Sequence, residues 1–138
     1  MATHTGELHL TTAGDGDTID LTEGVERIVG QSGAGEGVVT VFVPGSTAAI
    51  STMEFERGGV RDLKVMLDRL IPAEGDYEHN RLNRDTNSHA HMRAAIVGPS
   101  QTIPLKEGSL RLGIWQQLVL LDFDDRPRER TVVVTVTS

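Results

Sequence analysis

Two stretches constrain the fold of this chain more than any others: "GVVTVFVP" at 37–44 and "RERTVVVTVTS" at 128–138, both dense in β-branched residues. Side chains branched at Cβ crowd a helix and fit the pleated surface of a sheet, so the chain is expected to be built around strands. With "GSLRLGIWQQLVLLDF" leading into the turn "DDRPR", the C-terminal third reads as a long two-stranded ribbon. Residues 109–123 carry apolar side chains on both faces of that ribbon, and such a strand must be covered twice. A chain of 138 residues has few elements with which to do so. Part of this surface is therefore expected to be buried against further copies of the chain.

The remaining segments add two more expected strand pairs and two helices. "GELHLTT", the turn cluster "AGDGD" and "TIDL" read as one hairpin. Thr22 can cap a short helix whose apolar face is Val25, Ile28 and Val29. "GVVTVFVP" and "STAAISTMEFE" form a second pairing around Pro44-Gly45. In "GGVRDLKVMLDRLIP", Val60, Leu63, Met66, Leu67 and Leu70 share one helical face, and Pro72 ends that helix. The polar segment "AEGDYEHNRLNRDTNS" is expected to be a loop, and "HAHMRAAIVG" a strand. The fold class is α+β: one compact domain over 1–138, mostly antiparallel strands with two helices.

Composition excludes several functions. No run approaches the roughly 20 apolar residues of a membrane span. "MATHTGELHL" lacks a basic segment followed by an apolar core, so the expected location is cytoplasmic, with no membrane partner. Twenty acidic against thirteen basic residues give a net charge of -7, which argues against a nucleic-acid footprint. With no cysteine, thiolate chemistry is absent and any soft metal must be held by histidine.

Three of the five histidines fall within "YEHNRLNRDTNSHAHMR", 77–93. On a strand, His89 and His91 would present their rings on one face, together with Arg93, and His79 could fold over from the preceding loop. Zinc takes neutral imidazole nitrogens, and catalytic zinc sites commonly use three protein ligands. Asn80, Asp85 and Asn87 could fix the ring tautomers. Ordinary hydrogen-bonded loop histidines fit the same spacing, and the residues alone leave the two readings balanced. Ser46 and Thr47 in "PGSTAAISTMEFE" could donate to a phosphate, although a tight turn of small residues explains them as well. Glu54 is a candidate carboxylate for metal or proton transfer, or simply an acid preceding a helix. "RPRER" fits either a phosphate contact or a solvated hairpin end, and reads first as the latter.

Taken in order, "VFVPGSTAAISTMEFE", "YEHN", "NSHAHMRAAIVGPS", the turn at Pro104 and Gly108, "LGIWQQLVLLDFD" and "RPRERTVVV" resemble the YjbQ family, also called the secondary thiamine-phosphate synthase family. The resemblance runs over nearly the whole chain. It implies a compact α+β fold, a homotrimer with the histidine segment near the subunit boundaries, and a divalent metal, with zinc the expected one, on His79, His89 and His91. Gly113, Trp115 and Gln116 match the family's Gly-x-Trp-Gln. Where many members have His-Thr-Thr-Ala-Ala, this chain has Gly45-Ser46-Thr47-Ala48-Ala49 and so lacks one histidine. The implied activity joins the pyrimidine diphosphate and thiazole phosphate of thiamine and releases pyrophosphate. Glu54, His79 and His89 are the implied catalytic groups, and Ser46, Thr47, Asn80, Asn87, Arg93 and Arg128 the contacts to a small phosphorylated metabolite. A metal-dependent phosphoester hydrolase and a non-catalytic trimeric binding protein fit the same residues.

Overall fold

In the computed structural model, which describes Met1–Ser138, the chain passes back and forth between two sheets. Its elements are β1 (Thr3–Thr12), β2 (Asp17–Asp20), α1 (Thr22–Ser32), β3 (Gly37–Phe42), β4 (Ala48–Met53), α2 (Arg57–Leu70), α3 (Glu78–Asn83), α4 (Ser88–Val97), β5 (Ser100–Lys106), β6 (Ser109–Leu110), β7 (Gln117–Asp122) and β8 (Arg128–Thr137). One sheet has the order β1-β8-β3-β5-β6 and the other β2-β7-β4, with every neighbouring pair antiparallel. The fold is α+β as expected, with four helices rather than two.

The expected hairpins are replaced by crossings between sheets. β1 pairs with β8 from Thr3↔Thr137 to Thr12↔Arg128, while β2 pairs with β7 in the other sheet. β3 lies between β8 and β5, and β4 pairs with β7. The C-terminal ribbon likewise divides, β7 into one sheet and β8 into the other. Only β5 and β6 form a sequential pair. A Gly/Asp-rich turn reports that the chain reverses, but the sheet it returns to is decided by which partner covers its apolar face.

The main core fills the space between the sheets. Leu118 and Leu120 of β7 and Ile50 of β4 face Val39 and Val41 of β3 and Val132, Val134 and Val136 of β8. Val25, Ile28 and Val29 of α1 join this core, as their spacing predicts. Gly6 lets α1 lie close on β1: a Cβ there would be 2.9 Å from Ile28 Cγ2. The alternate residues of the smaller sheet, Ala49, Val119 and Leu121, face outward with Phe123 onto Ala90 and Ala94 of α4, flanked by Leu63 and Leu67 of α2. Both faces of β7 are thus covered by its own chain, which removes the packing argument for a second copy at that strand.

The element doing much of that covering is the one expected to be a strand. Residues 88–97 form α4, whose buried side includes His89, Ala90, Arg93 and Ala94 while Met92 and Ile96 are exposed. That is the three-and-four spacing of a helix, and apart from His91 the segment "AHMRAA" consists of strong helix formers. Two alanines four residues apart allow α4 to approach Ala49 closely. The segment 78–83, expected to be loop, is the short helix α3.

Candidate functional site

α3 and α4 place the three histidines, and the helical geometry separates two of them. Residues two apart on a helix point about 200° from each other, so His89 and His91 leave α4 on opposite flanks. His91 approaches His79 of α3, with ring centroids 4.6 Å apart and planes tilted by 55°. His79 has partners at both ring nitrogens: Nε2 lies 3.2 Å from Asn87 Oδ1, and Asn83 Nδ2 lies 3.4 Å from Nδ1. These partners assign the Nε2–H tautomer. Asp85 Oδ2 is 3.9 Å from the same Nε2. Nowhere in the chain do three histidine, aspartate or glutamate side chains converge as a metal-holding set. The three-imidazole zinc cluster is therefore not assembled within one protomer, because the segment expected to align two of the rings is helical.

His89 is in a different situation. It is 3% exposed, and its Nδ1 is buried with no hydrogen-bond partner. The one other side chain with such an atom is His4 on β1. Burial pushes the His89 pKa below its ordinary value of 6.5, Arg93 reinforces the shift, and Asp125, Asp124 and Asp15 oppose it. The ring is held neutral at pH 7, able to accept a proton or donate a lone pair. It lines a cavity of about 320 Å³ whose other walls include Asp15, Glu74, Asn80, Asp85 and Asp125. The negative charge is partly offset by Arg126, whose Nη2 is 3.6 Å from Asp85 and whose Nε is 3.7 Å from Asp125. Asp125 also accepts from the Thr86 hydroxyl. The other flank of α4 borders a second cavity, about 250 Å³, lined by Gly45, Ser46, Ala48 and His91 among others. The expected site residues are thus divided between two hollows on either side of one helix.

Several expected phosphate contacts have partners within the fold. Arg93 is 4% exposed; its Nε and Nη2 donate to the Ile71 carbonyl at 3.1 and 2.7 Å, and Nη2 to Asp68 at 3.2 Å. It clamps α4 to the end of α2. Thr47 is buried between charged partners, accepting from Arg130 Nη2 at 2.7 Å and donating to Asp124 at 3.0 Å. Arg128 directs Nε and Nη2 onto Asp124 at 2.9 and 2.8 Å. Asn87 is buried against His79, and Asn80 Oδ1 accepts the Ser88 N–H at 3.1 Å, which ties α3 to the start of α4. Ser46 and Glu54 are exposed, and Glu54 lines neither cavity. The acid that caps α2 is Glu56, accepting the N–H groups of Gly58 and Gly59.

Sequence reasoning did not find Arg130. Its Nε and Nη2 hold Asp122 at 2.7 and 2.9 Å, and Asp122 also accepts from Thr12 at 2.7 Å. Gly45 closes the turn over this guanidinium, since a Cβ there would lie 2.9 Å from Arg130 Nη1. For Asp124, burial would raise the pKa, but hydrogen bonds from Thr47, Arg128 and the Asp125 backbone outweigh it and bring the carboxyl down to about 2. The signal was present in "DFDDRPRER": alternate acids at 122 and 124 and alternate arginines at 128 and 130 face one another once β8 leaves for the other sheet. Asp15, Glu74 and Asp125 were missed as neighbours of His89 because they come from three separate turns.

A two-sheet α+β domain with a histidine-bearing helix pair on its outer face defines the class of protein. Residues 6–138 match the family model described as UPF0047 protein YjbQ-like, and the chain belongs to that family. It is 40% identical to a UPF0047 protein of Archaeoglobus fulgidus over 93% of this chain and 97% of the relative, and 37% identical to one of Methanothermobacter thermautotrophicus over 100% and 94%. A crystal structure of a YbjQ-like protein from Sulfolobus solfataricus superposes with a TM-score of 0.93 at 32% identity, covering 98% of this chain and 96% of that one. A member of the YjbQ/UPF0047 family from Clostridium acetobutylicum superposes at 0.87 with 39% identity, covering 95% and 98%.

Proposed function

We propose that the chain is a small enzyme acting on a phosphorylated metabolite, with His89 as a hydrogen-bonding group of its site and thiamine-phosphate synthase-type transfer as its reaction: the thiazole nitrogen bonds to the pyrimidine methylene carbon as the bond from that carbon to the diphosphate oxygen breaks. The observation that carries this reading is the unpartnered, neutral His89 ring on a cavity large enough for a small molecule. A buried ring nitrogen with no internal partner favours a ligand that supplies one. His89 offers a neutral ring on the cavity wall, Asn80 keeps α3 against α4, and Arg93 fixes the helix that carries the ring. The carboxylates of the cavity would repel a diphosphate by themselves. They fit a hydrated divalent cation of the magnesium type, held through one or two carboxylates and the substrate's own phosphates, better than a three-imidazole zinc. Such a cation would neutralise the charge of the departing pyrophosphate. The proposed setting is a cytoplasmic homotrimer, supported by the exposed Ile96, Ile114 and Trp115 at 74%, 84% and 71%.

Supplying the two phosphorylated thiamine precursors with magnesium or zinc should release pyrophosphate, and H89Q should slow that release by about a hundredfold or more. Hydrolysis of simple phosphoesters without coupling would replace this reading with that of a hydrolase, and binding without turnover with that of a binding protein.

A further inference from the structure

A groove between the β1–β2 turn and the flank of α2 lies apart from the histidines and carries the opposite charge. It encloses about 520 Å³, within the range of small-molecule sites, and its walls include Gly16, Phe55, Arg57, Val60, Arg61 and Lys64. Arg57, Arg61 and Lys64 follow at i, i+4 and i+7 on α2, so three cations share one stripe of the helix. Like charges at that spacing oppose helix formation, and here they recur in a chain whose net charge is -7. Arg57 and Arg61 have no carboxylate within ion-pair distance. Lys64 has only the half-exposed Asp68, 3.6 Å away.

Two of the acids nearby are already engaged, whereas Glu54 and Asp62 form no ion pair with Arg57, Arg61 or Lys64. Glu56 borders the groove, but its carboxylate accepts the Gly58 and Gly59 N–H groups and so satisfies the helix end. Asp17, beside Gly16, accepts the Ala13 N–H at 2.8 Å. Phe55, 40% exposed, adds a flat apolar surface next to the free guanidinium groups. The turn separates the two hollows: Asp15 lines the His89 cavity and Gly16 lines this groove.

We propose that this groove binds a phosphorylated ring compound of the nucleoside-monophosphate type. Arg57, Arg61 and Lys64 hold the phosphate by charge-assisted hydrogen bonds, and Phe55 receives the ring. The pairing of free cations with an exposed aromatic selects a ligand that has both parts. The inference does not depend on turnover at His89.

Calorimetric titration of the full chain at low salt, with adenosine monophosphate and inorganic phosphate as probes, tests it. Both should bind, the nucleotide more tightly, and added salt should weaken both. R57A and R61A should each weaken both probes by roughly tenfold, the lower end for hydrogen bonds to charged groups. F55A should bring the nucleotide down to the affinity of inorganic phosphate, and H89Q should change neither. The three groove residues are exposed or at the surface of α2, so circular dichroism of the variants should match the parent. No binding of either probe at millimolar concentration, unchanged affinity in R57A and R61A, or a nucleotide preference that survives F55A would each overturn the proposal. Loss of turnover in H89Q is read separately and bears only on the site at α4.

Discussion

Arg130 and His89 are both buried polar side chains close to the acidic segment 122–125, and the chain provides for them differently. Around Arg130 the donors and acceptors are matched: Asp122 receives Thr12 and two guanidinium nitrogens, and Thr47 passes a further hydrogen bond to Asp124. Around His89 they are not, since Nδ1 has no partner and the adjoining walls are carboxylates. A saturated buried network holds structure, because removing one member leaves the others desolvated and unpaired. An unsaturated group, such as the ring of His89 or of His4, leaves a hydrogen-bonding position open. By this criterion Thr47 and Arg128 are engaged in the fold, and His89 is the residue on which the proposed chemistry rests.

The largest effect that would break this contrast is at Arg130. R130A strands Asp122 without its countercharge, and the expected loss is about 3–5 kcal/mol in urea unfolding. A loss below about 1 kcal/mol accompanied by a fall in turnover would move Arg130 to the reaction site. H89Q should do the reverse, lowering turnover about a hundredfold while unfolding stability changes by less than about 1 kcal/mol. Because the folded His89 pKa lies below 6.5, the neutral ring is favoured in the fold. The stability it adds is therefore complete above 6.5 and lost as pH falls toward the folded value, and kcat/KM should decline on the acid side of 6.5.

Asp124 sharpens the comparison through pH. Its folded pKa of about 2 lies below the ordinary 3.8, so the unfolded chain binds more protons between these values. The contribution, about 2 kcal/mol, is present above pH 3.8 and lost as pH falls toward 2. D124N should flatten that acid limb of a stability-versus-pH curve. The smallest expected change is at Arg128, 38% exposed, where R128Q should lower stability by about 1 kcal/mol or less and leave pyrophosphate release unchanged. A drop in turnover there would support a phosphate role for Arg128.

The limits of legibility follow the same division. Strand content, α1 and α2, and the histidine segment as the place of interest were readable, since each depends on local periodicity. The strand reading of 88–97 failed where small alanines and neighbouring histidines suit either period, and with it failed the alignment of His89 with His91. No local pattern distinguishes an arginine that meets phosphate from one that meets an aspartate on another strand.

The sequence by itself determined which segments extend, which residues share a face within α1 and α2, and which family the chain resembles, because β-branching, spacing and motif order act over a few residues at a time. Only the tertiary structure decided that successive strands part into two sheets, that α4 covers the outer face of β7, that Asp122 and Asp124 meet Arg130 and Arg128, and that His89 is left without a partner. Those outcomes depend on which distant surfaces exclude water together, and burial is a property of the whole packed chain.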